Sequence, residues 1–422
     1  MPLTMKKNKI RGRSEKGYTL VLVALGLTGL MGALGIAFDV GYLEYTQRQM
    51  QTAADAAAQA GAEEIVRGDT TGLVAAADTD SASNGFTNGT NNVTVTINNP
   101  PQSGYYLGSN YAVEAIISRS VPTFFMRVLN TDSATVTARA VAAQVSSPNC
   151  VFALDPTAAD AIEASNDAQV VVGCGIISDS SNSKAVYSTG SASISGTAVN
   201  IVGSYYTDNN GHISPTPKTS VLPLSDPLGA VPAPTVGSCT YTNYPPQNGG
   251  SHVTLSPGTY CNGLNVTNGM TAVFNPGTYI IVGGGMHFAG GTTETGTGVT
   301  FYVTKNSTYS FAPVVMDNGV NVTLSAPTSG TYLGMLLFQD RSITTANTSN
   351  SATQLQGGAT MALSGALYFP GTQFTVANGT NTSASYTIIV ADTIVFAGGM
   401  NLSANYTGLQ GGSPIQVATL GE

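Results

Sequence analysis

Two neighbouring stretches, "SPGTYCNGLNVTNG" (Ser256 to Gly269) and "NPGTYIIVGGGMHFAGG" (Asn275 to Gly291), carry Pro-Gly-Thr-Tyr tetrads 19 residues apart. Weaker echoes follow in "SGTYLGMLLF" from Ser329 and "FPGTQFTVANG" from Phe369. A period near 20 with glycine-rich corners is the length of one coil of a parallel β-solenoid. Such a coil cannot bury its apolar side chains alone, but does so by stacking on its neighbours. Val, Ile, Leu and Phe then point inward, and Thr, Ser and Asn decorate the outside.

The pattern extends well beyond the repeats. From Cys150 onward short runs such as "AQVVVGCGII", "SASISGTAVNIVGS" and "GVTFYVT" are separated by Gly, Asn, Ser and Pro, with helix confined to a turn at "DPTAADAIEAS". Residues 213–246 hold eight prolines and read as an extended crossing or linker between a short first stack and a longer second one. A pair of β-sandwiches is the competing fold and calls for cleaner hairpin signals than these.

Composition agrees. Charged residues are 9% of the 422-residue chain, against roughly a quarter in an average soluble domain, while glycine alone supplies 49 positions. Of the 15 Lys and Arg, 11 precede Cys150, and only Lys184, Lys218, Lys305 and Arg341 follow it. A basic groove for nucleic acid is therefore excluded as a reading. The cysteines Cys150, Cys174, Cys239 and Cys261 form two locally spaced pairs, which suit structural disulfides in an oxidising compartment. None of their spacings is CxxC, and His212, His252 and His287 are scattered, so no zinc site is expected.

Near the N-terminus lies "KGYTLVLVALGLTGLMGALGIAFDV" (Lys16 to Val40). Tyr18 to Phe38 is free of charge and, as a helix, spans about 31 Å, the thickness of a bilayer's hydrocarbon core. Lys6, Lys7, Lys9, Arg11, Arg13 and Lys16 precede it; Asp39 and Glu44 are the first charges after it. The positive-inside bias puts the N-terminus in the cytoplasm and the remainder outside. Gly26, Gly29, Gly32 and Gly35 recur every third residue, as a contact between helices or as the ordinary glycine content of a membrane helix. "KGYTLVLV" resembles a type IV prepilin junction, but Leu22 stands where that family has its glutamate. A retained anchor and cleavage after Gly17 both stay open, the anchor being the preferred reading.

Beyond Asp39, "VGYLEYTQRQMQTAADAAAQAGAEEIV" lacks Pro and is rich in Ala, so the helix is expected to continue to about Val66. Met50, Ala53, Ala54, Ala57, Ala60 and Gly61 share a face for close packing, within the domain's own sheet or on a partner helix. Residues 68–89 read as loop. Val93 to Ile97, Tyr111 to Val121 and Ser133 to Gln144 alternate as strands, and "PTFFMRVLN" suits a short helix between the last two.

These residues resemble the N-terminal region of TadG-like proteins of the Flp/Tad (tight adherence) pilus-assembly family. The likeness lies in "AFDVGYLEYTQRQMQTAADAAAQAGA" behind a single apolar helix and in "VPTFFMRVLNTDSATVTARAVA" (Val121 to Ala142), and covers residues 14–145. It implies a bacterial protein of the inner membrane, single-pass, with its bulk periplasmic or extracellular. Its implied partners are other pilus-assembly membrane proteins or pilin subunits. Some members carry a von Willebrand A domain, but its metal-binding DxSxS is absent here, the nearest candidate being Asp155-Pro-Thr.

An enzyme built on the solenoid is the main competitor, because parallel β-helices also cleave polysaccharides. Such sites need clustered carboxylates. Here Asp155, Asp160, Glu163, Asp167, Asp179, Asp208, Asp226, Glu294, Asp317, Asp340 and Asp392 show no DxD or DD pair. "QDRS" (Gln339 to Ser342) reads as a solvated turn, with a glycan contact as the alternative, and the three histidines as structural or exposed. "GGGMHFAGG" lacks the Lys-Ser/Thr of a phosphate loop, and the N-x-S/T triplets arise by chance in so Asn-rich a chain.

The expected fold is mainly β: an N-terminal transmembrane helix, a small α+β membrane-proximal module and a parallel β-helix. The expected boundaries are 1–17 (basic segment), 18–38 (membrane helix), 39–147 (helix plus antiparallel sheet), 148–212 (first solenoid part), 213–250 (Pro-rich linker) and 251–422 (second solenoid part). The expected role is structural, in assembly or surface presentation of a Flp/Tad-type pilus and in adhesion, with no catalytic, cofactor or metal residues. The expected contacts are the bilayer through 18–38, pilus components, and surface glycans as a further candidate, with no nucleic acid. The alternatives are a pilin-like subunit or tip adhesin released from the membrane, and a carbohydrate-active enzyme.

Overall fold

The computed structural model describes residues 16–246, 250–345, 351–357, 361–377, 384–410 and 412–422. It divides into two units, Met1–Val145 with Val417–Glu422, and Ser146–Gln416.

In the first unit one uninterrupted helix, α1, runs Lys16–Arg67. It is the one described helix long and apolar enough to cross a membrane. The side chains of Leu20, Leu25, Leu30 and Leu34 on its first half are exposed, whereas Met50, Ala53, Ala54, Ala57, Ala58 and Ala62 on its second half are fully buried. These small residues let the sheet approach closely: a Cβ added to Gly61 would sit 2.9 Å from Val113 Cγ1. A second helix, α2 (Leu73–Ser83), stands where the sequence reads as loop. It buries Leu73, Ala77 and Ser81, a spacing of four whose signal is diluted by the polar "DTDSAS" around it. Strands β1 (Val93–Asn98), β2 (Ala112–Pro122) and β3 (Ser133–Ser146) pair antiparallel. Val113, Ala115 and Ile117 alternate inward, as period-two patterning requires.

The sheet's fourth strand is Gln416–Leu420, beside β3. Sequence boundaries left this segment with the solenoid at 251–422. Its pairing partner is far away in the chain, and a five-residue strand has no local signature of where it docks.

The second unit is a β-solenoid in which each coil contributes short strands to three parallel faces. One inward ladder on the first face passes through Tyr279, Phe301, Leu337, Leu367, Ile389, Val151, Ile176 and Val199, each the register partner of the next. All eight are buried. The step from Ile389 to Val151 decides the architecture. The coil at 387–402 docks against the coil at 149–172, so the early and late solenoid parts form one continuous stack, not two.

That arrangement sends the chain back. After the coil ending at His212–Ser214 and the short strand Lys218–Thr219, the proline-rich segment crosses to the other end of the stack. There Tyr241–Tyr244 opens the second run by pairing with Gly258–Val266. Along the way the Leu224 N–H donates to Asp179 Oδ1 at 3.0 Å, Arg341 Nη2 donates to the Leu228 carbonyl at 2.6 Å, and the Thr240 N–H donates to the Thr259 carbonyl at 2.8 Å. The segment is thus a strap laid along the coils.

The tetrads explain themselves in this setting. Pro257 and Pro276 turn the corner into the first face, and Tyr260 and Tyr279 are the buried third residues beyond them. Tyr279 Oη donates to the Leu255 and Asn275 carbonyls at 2.9 and 2.8 Å, closing the corner from inside. Gly277 adopts φ 136°, and a Cβ there would lie 2.5 Å from the Pro257 ring. The proline of one coil therefore packs on the glycine of the next. The weaker echoes occupy other places: Gly330 lies in a turn before Met335–Gln339, and Gly371 at the corner between Met361–Phe369 and Phe374–Ala377.

Candidate functional site

One tightly constrained polar group of the first unit is Asp39. It ends the apolar run, and its side chain is buried. Its carboxylate accepts the backbone N–H groups of Phe124, Phe125 and Met126 at 3.0, 2.8 and 2.6 Å. Met126 opens a short 3₁₀ helix, Met126–Leu129, so Asp39 serves as an N-terminal cap supplied from another element. Burial pushes the carboxyl pKa up, but the three N–H donors outweigh it and hold the group below its ordinary value.

Around this bond the two segments interlock. Gly35, one helical turn before Asp39, faces the Phe125 ring so closely that a Cβ would lie 2.6 Å from Phe125 Cγ. The Phe38 ring meets Phe124 and Phe125 edge-on at 5.9 and 6.0 Å, and Tyr42 meets Phe124 at 5.7 Å. Gly26, Gly29 and Gly32 have open space where a side chain would be. Of the four regularly spaced glycines, Gly35 alone touches the rest of the unit.

At the far end of the same sheet, Glu114 is fully buried and accepts from Arg139 Nε at 2.7 Å, from Asn98 and Ser103 side chains, and from the Gln102 N–H. Burial opposes ionisation, and these donors prevail, so its pKa is lowered. Arg139 also pairs with Glu422 at 2.6 Å, tying the returning C-terminal strand to the sheet.

In the solenoid, Cys150–Cys174 and Cys239–Cys261 are disulfides, with Cα atoms 5.8 and 5.7 Å apart, each joining consecutive coils. The carboxylates are engaged one at a time. Asp160 pairs with Lys184, Asp208 accepts from Tyr187 Oη, Asp317 meets His287 Nε2 at 2.9 Å, and Asp155 accepts the Thr157 and Ala158 N–H groups. Glu294 is buried in the core. Among the described residues no group of three or more His, Cys, Asp or Glu side chains is placed to hold a metal ion. His212 and His252 are exposed.

"QDRS" is not a solvated turn. Gln339 is buried and accepts from Thr372, Asp340 accepts from Thr304 Oγ1 at 2.6 Å, and Arg341 donates to Tyr368 Oη at 2.6 Å as well as to the strap. Tyr368 in turn donates to Asp226 of the strap. The sequence motif marks a clasp, whose partners lie too far away in the chain to be read locally.

The decisive comparison concerns the first unit. Residues 17–64 match the family model described as putative Flp pilus-assembly TadE/G-like. No curated protein and no solved structure matches the chain. The Tad segment comprises the exposed apolar half of α1, Gly35, Asp39 and the buried alanine face. With the one long apolar helix among the described residues it supports a pilus-related membrane protein with a single-pass anchor. The "VPTFFMRVL" tip lies outside the match, yet Asp39 of the Tad segment is what orders it.

Proposed function

We propose that the protein is a structural, non-enzymatic component of a Flp/Tad-type pilus system, held in a bacterial inner membrane by residues 18–38. Its N-terminus is cytoplasmic, and everything after Asp39 lies outside the cytoplasm. The observation that carries this reading is the TadE/G-like match across the very helix whose apolar half is exposed. The basic residues before Gly17 support the orientation, and two disulfides support an oxidising compartment. The solenoid offers a large, weakly charged surface suited to contacts with pilus subunits and to adhesion, including to glycans. The separate engagement of Asp155, Asp160, Asp208 and Asp317 by different partners supports contact area over chemistry.

The test is mass spectrometry of the mature N-terminus in separated inner-membrane, outer-membrane and sheared-fibre fractions. An inner-membrane chain retaining Lys16 and Gly17 is expected. A chain starting at Tyr18 in the fibre fraction would replace this reading with that of a pilus subunit.

A further inference from the structure

The tip between β2 and β3 exposes an unusual set of side chains. Phe124 is 56% exposed, Phe125 51%, Val128 86% and Leu129 66%, and none of the residues of the 3₁₀ helix Met126–Leu129 is buried. Four large apolar side chains at one hairpin tip are costly in water, and such patches mark interaction surfaces. What covers this one follows from its place. Phe125 packs on Gly35, and Gly35 lies inside the apolar run that ends at Phe38. If 18–38 spans the bilayer, the tip is held at the depth of the membrane's outer boundary, with Phe38, itself 58% exposed, continuing the same surface.

We propose that residues 123–130 form a second membrane contact, a foot that inserts Phe124, Phe125, Val128 and Leu129 into the headgroup and acyl boundary of the bilayer that α1 crosses. The inference rests on the anchoring reading above. Phe and Leu side chains on the apolar face of a helix lying in the plane of that boundary bury there. Asp39 makes this feasible. Its carboxylate satisfies three N–H groups of the tip that lipid could not, and those donors in turn compensate its buried charge. Arg127, the tip's one cation, is paired with Asp132 at 2.9 Å and sits where anionic headgroups would meet it. Two points of contact, the helix and the foot, would fix the sheet's tilt on the membrane, where a lone helix would let it swivel.

The test uses the full chain in vesicles of phosphatidylethanolamine and phosphatidylglycerol with brominated acyl chains. All four native cysteines are paired, so single labelling sites can be added. Val128→Cys reports the foot and Leu25→Cys the membrane helix. Tyr111→Cys, exposed at the opposite end of β2 and about 35 Å from the tip, is the aqueous control. Labels at 25 and 128 should be quenched by brominated lipid, and the label at 111 only by aqueous iodide. Quenching at 25 but iodide access at 128 would overturn the foot and leave the anchor standing. A label at 128 shielded from both quenchers would mean a protein partner or second copy covers the tip, which also overturns the lipid assignment. Iodide access at 25 would overturn the anchor and the foot together.

Discussion

Asp39 and Phe125 are joined twice: the carboxylate accepts the Phe125 backbone N–H at 2.8 Å, and the Phe125 ring packs one helical turn away against Gly35. Through this pair the helix and the hairpin tip become one body. Replacing Asp39 with Ala leaves three N–H groups without their acceptor, and Asp39→Asn retains a single acceptor oxygen for them. The amides of Phe124, Phe125 and Met126 should lose protection in hydrogen exchange, fully in the Ala variant and partly in the Asn variant, while β1 is unaffected. Unchanged protection in Asp39→Ala would show that ring packing alone holds the tip. Because the folded-state pKa lies below the ordinary value of 3.8, the carboxylate's contribution is present above that pH and is lost as pH falls through the folded value.

The disulfides should differ in reach although their loops are alike, with sequence separations of 24 and 22. Chain entropy assigns each about 3 kcal/mol. Cys239–Cys261 ties down the terminal coil, whose outer edge has no neighbour among the described strands. Cys150–Cys174 lies mid-stack, beside the Ile389–Val151 junction. Serine substitution of Cys239 and Cys261 should fray residues 239–246 and 250–255 in hydrogen exchange and barely move the thermal midpoint. Substitution of the second pair should lower the midpoint of the whole unit. Equal global losses would mean the terminal coil unfolds only with the rest.

Much of this fold was legible because its signals are local. The charge-free run from Tyr18, the alternation of Val113, Ala115 and Ile117, and the paired tetrads at Pro257 and Pro276 each state their geometry within one or two turns of chain. What escaped reading depends on partners far apart. Nothing near Ile389 indicates that Val151 is its neighbour, and nothing in "QDRS" indicates that Arg341 reaches Leu228. The same holds at the candidate site. Both "AFDVGY" and "VPTFFMRVL" stand out in sequence, but only the fold shows that the Asp of one caps the backbone of the other.

Glu294 should make the solenoid's stability depend on pH. It lies in the strand Thr293–Thr297, in register with Ala272 and Val322, and both carboxylate oxygens are buried without a hydrogen-bond partner. Burial pushes its pKa from 4.5 up to about 7, with the nearby Thr292 hydroxyl pulling the other way. Below pH 4.5 both folded and unfolded chains keep the proton and nothing is lost. Between about 4.5 and 7 the unfolded chain ionises first, so stability falls as pH rises, and above 7 the deficit levels off. Glu294→Gln should therefore stabilise the fold at pH 8, by up to about 3 kcal/mol and visible as a higher thermal midpoint, and have no such effect at pH 4. A gain of equal size at both pH values would trace the effect to packing instead.

The strap is held by a hydroxyl between two charges. Tyr368 is fully buried, donates to Asp226 on the strap, and accepts from Arg341 Nε at 2.6 Å; Arg341 also reaches the Leu228 carbonyl and lies 5.1 Å from the Phe338 and Tyr368 ring centres. Burial and the neighbouring Asp226 carboxylate push the phenol's pKa well up, so it remains a donor at neutral pH. Tyr368→Phe removes one oxygen, keeps the ring in its place, and leaves Asp226 and Arg341 each short of a partner. Bonds to charged groups are worth roughly 1.5–3 kcal/mol, so a loss of about 2 kcal/mol is expected. Its first sign should be faster proteolysis between 220 and 240, with the coils still resistant. If the strap is cleaved no faster in Tyr368→Phe, then Leu228, which is itself 2% exposed, anchors it by burial and the clasp is secondary.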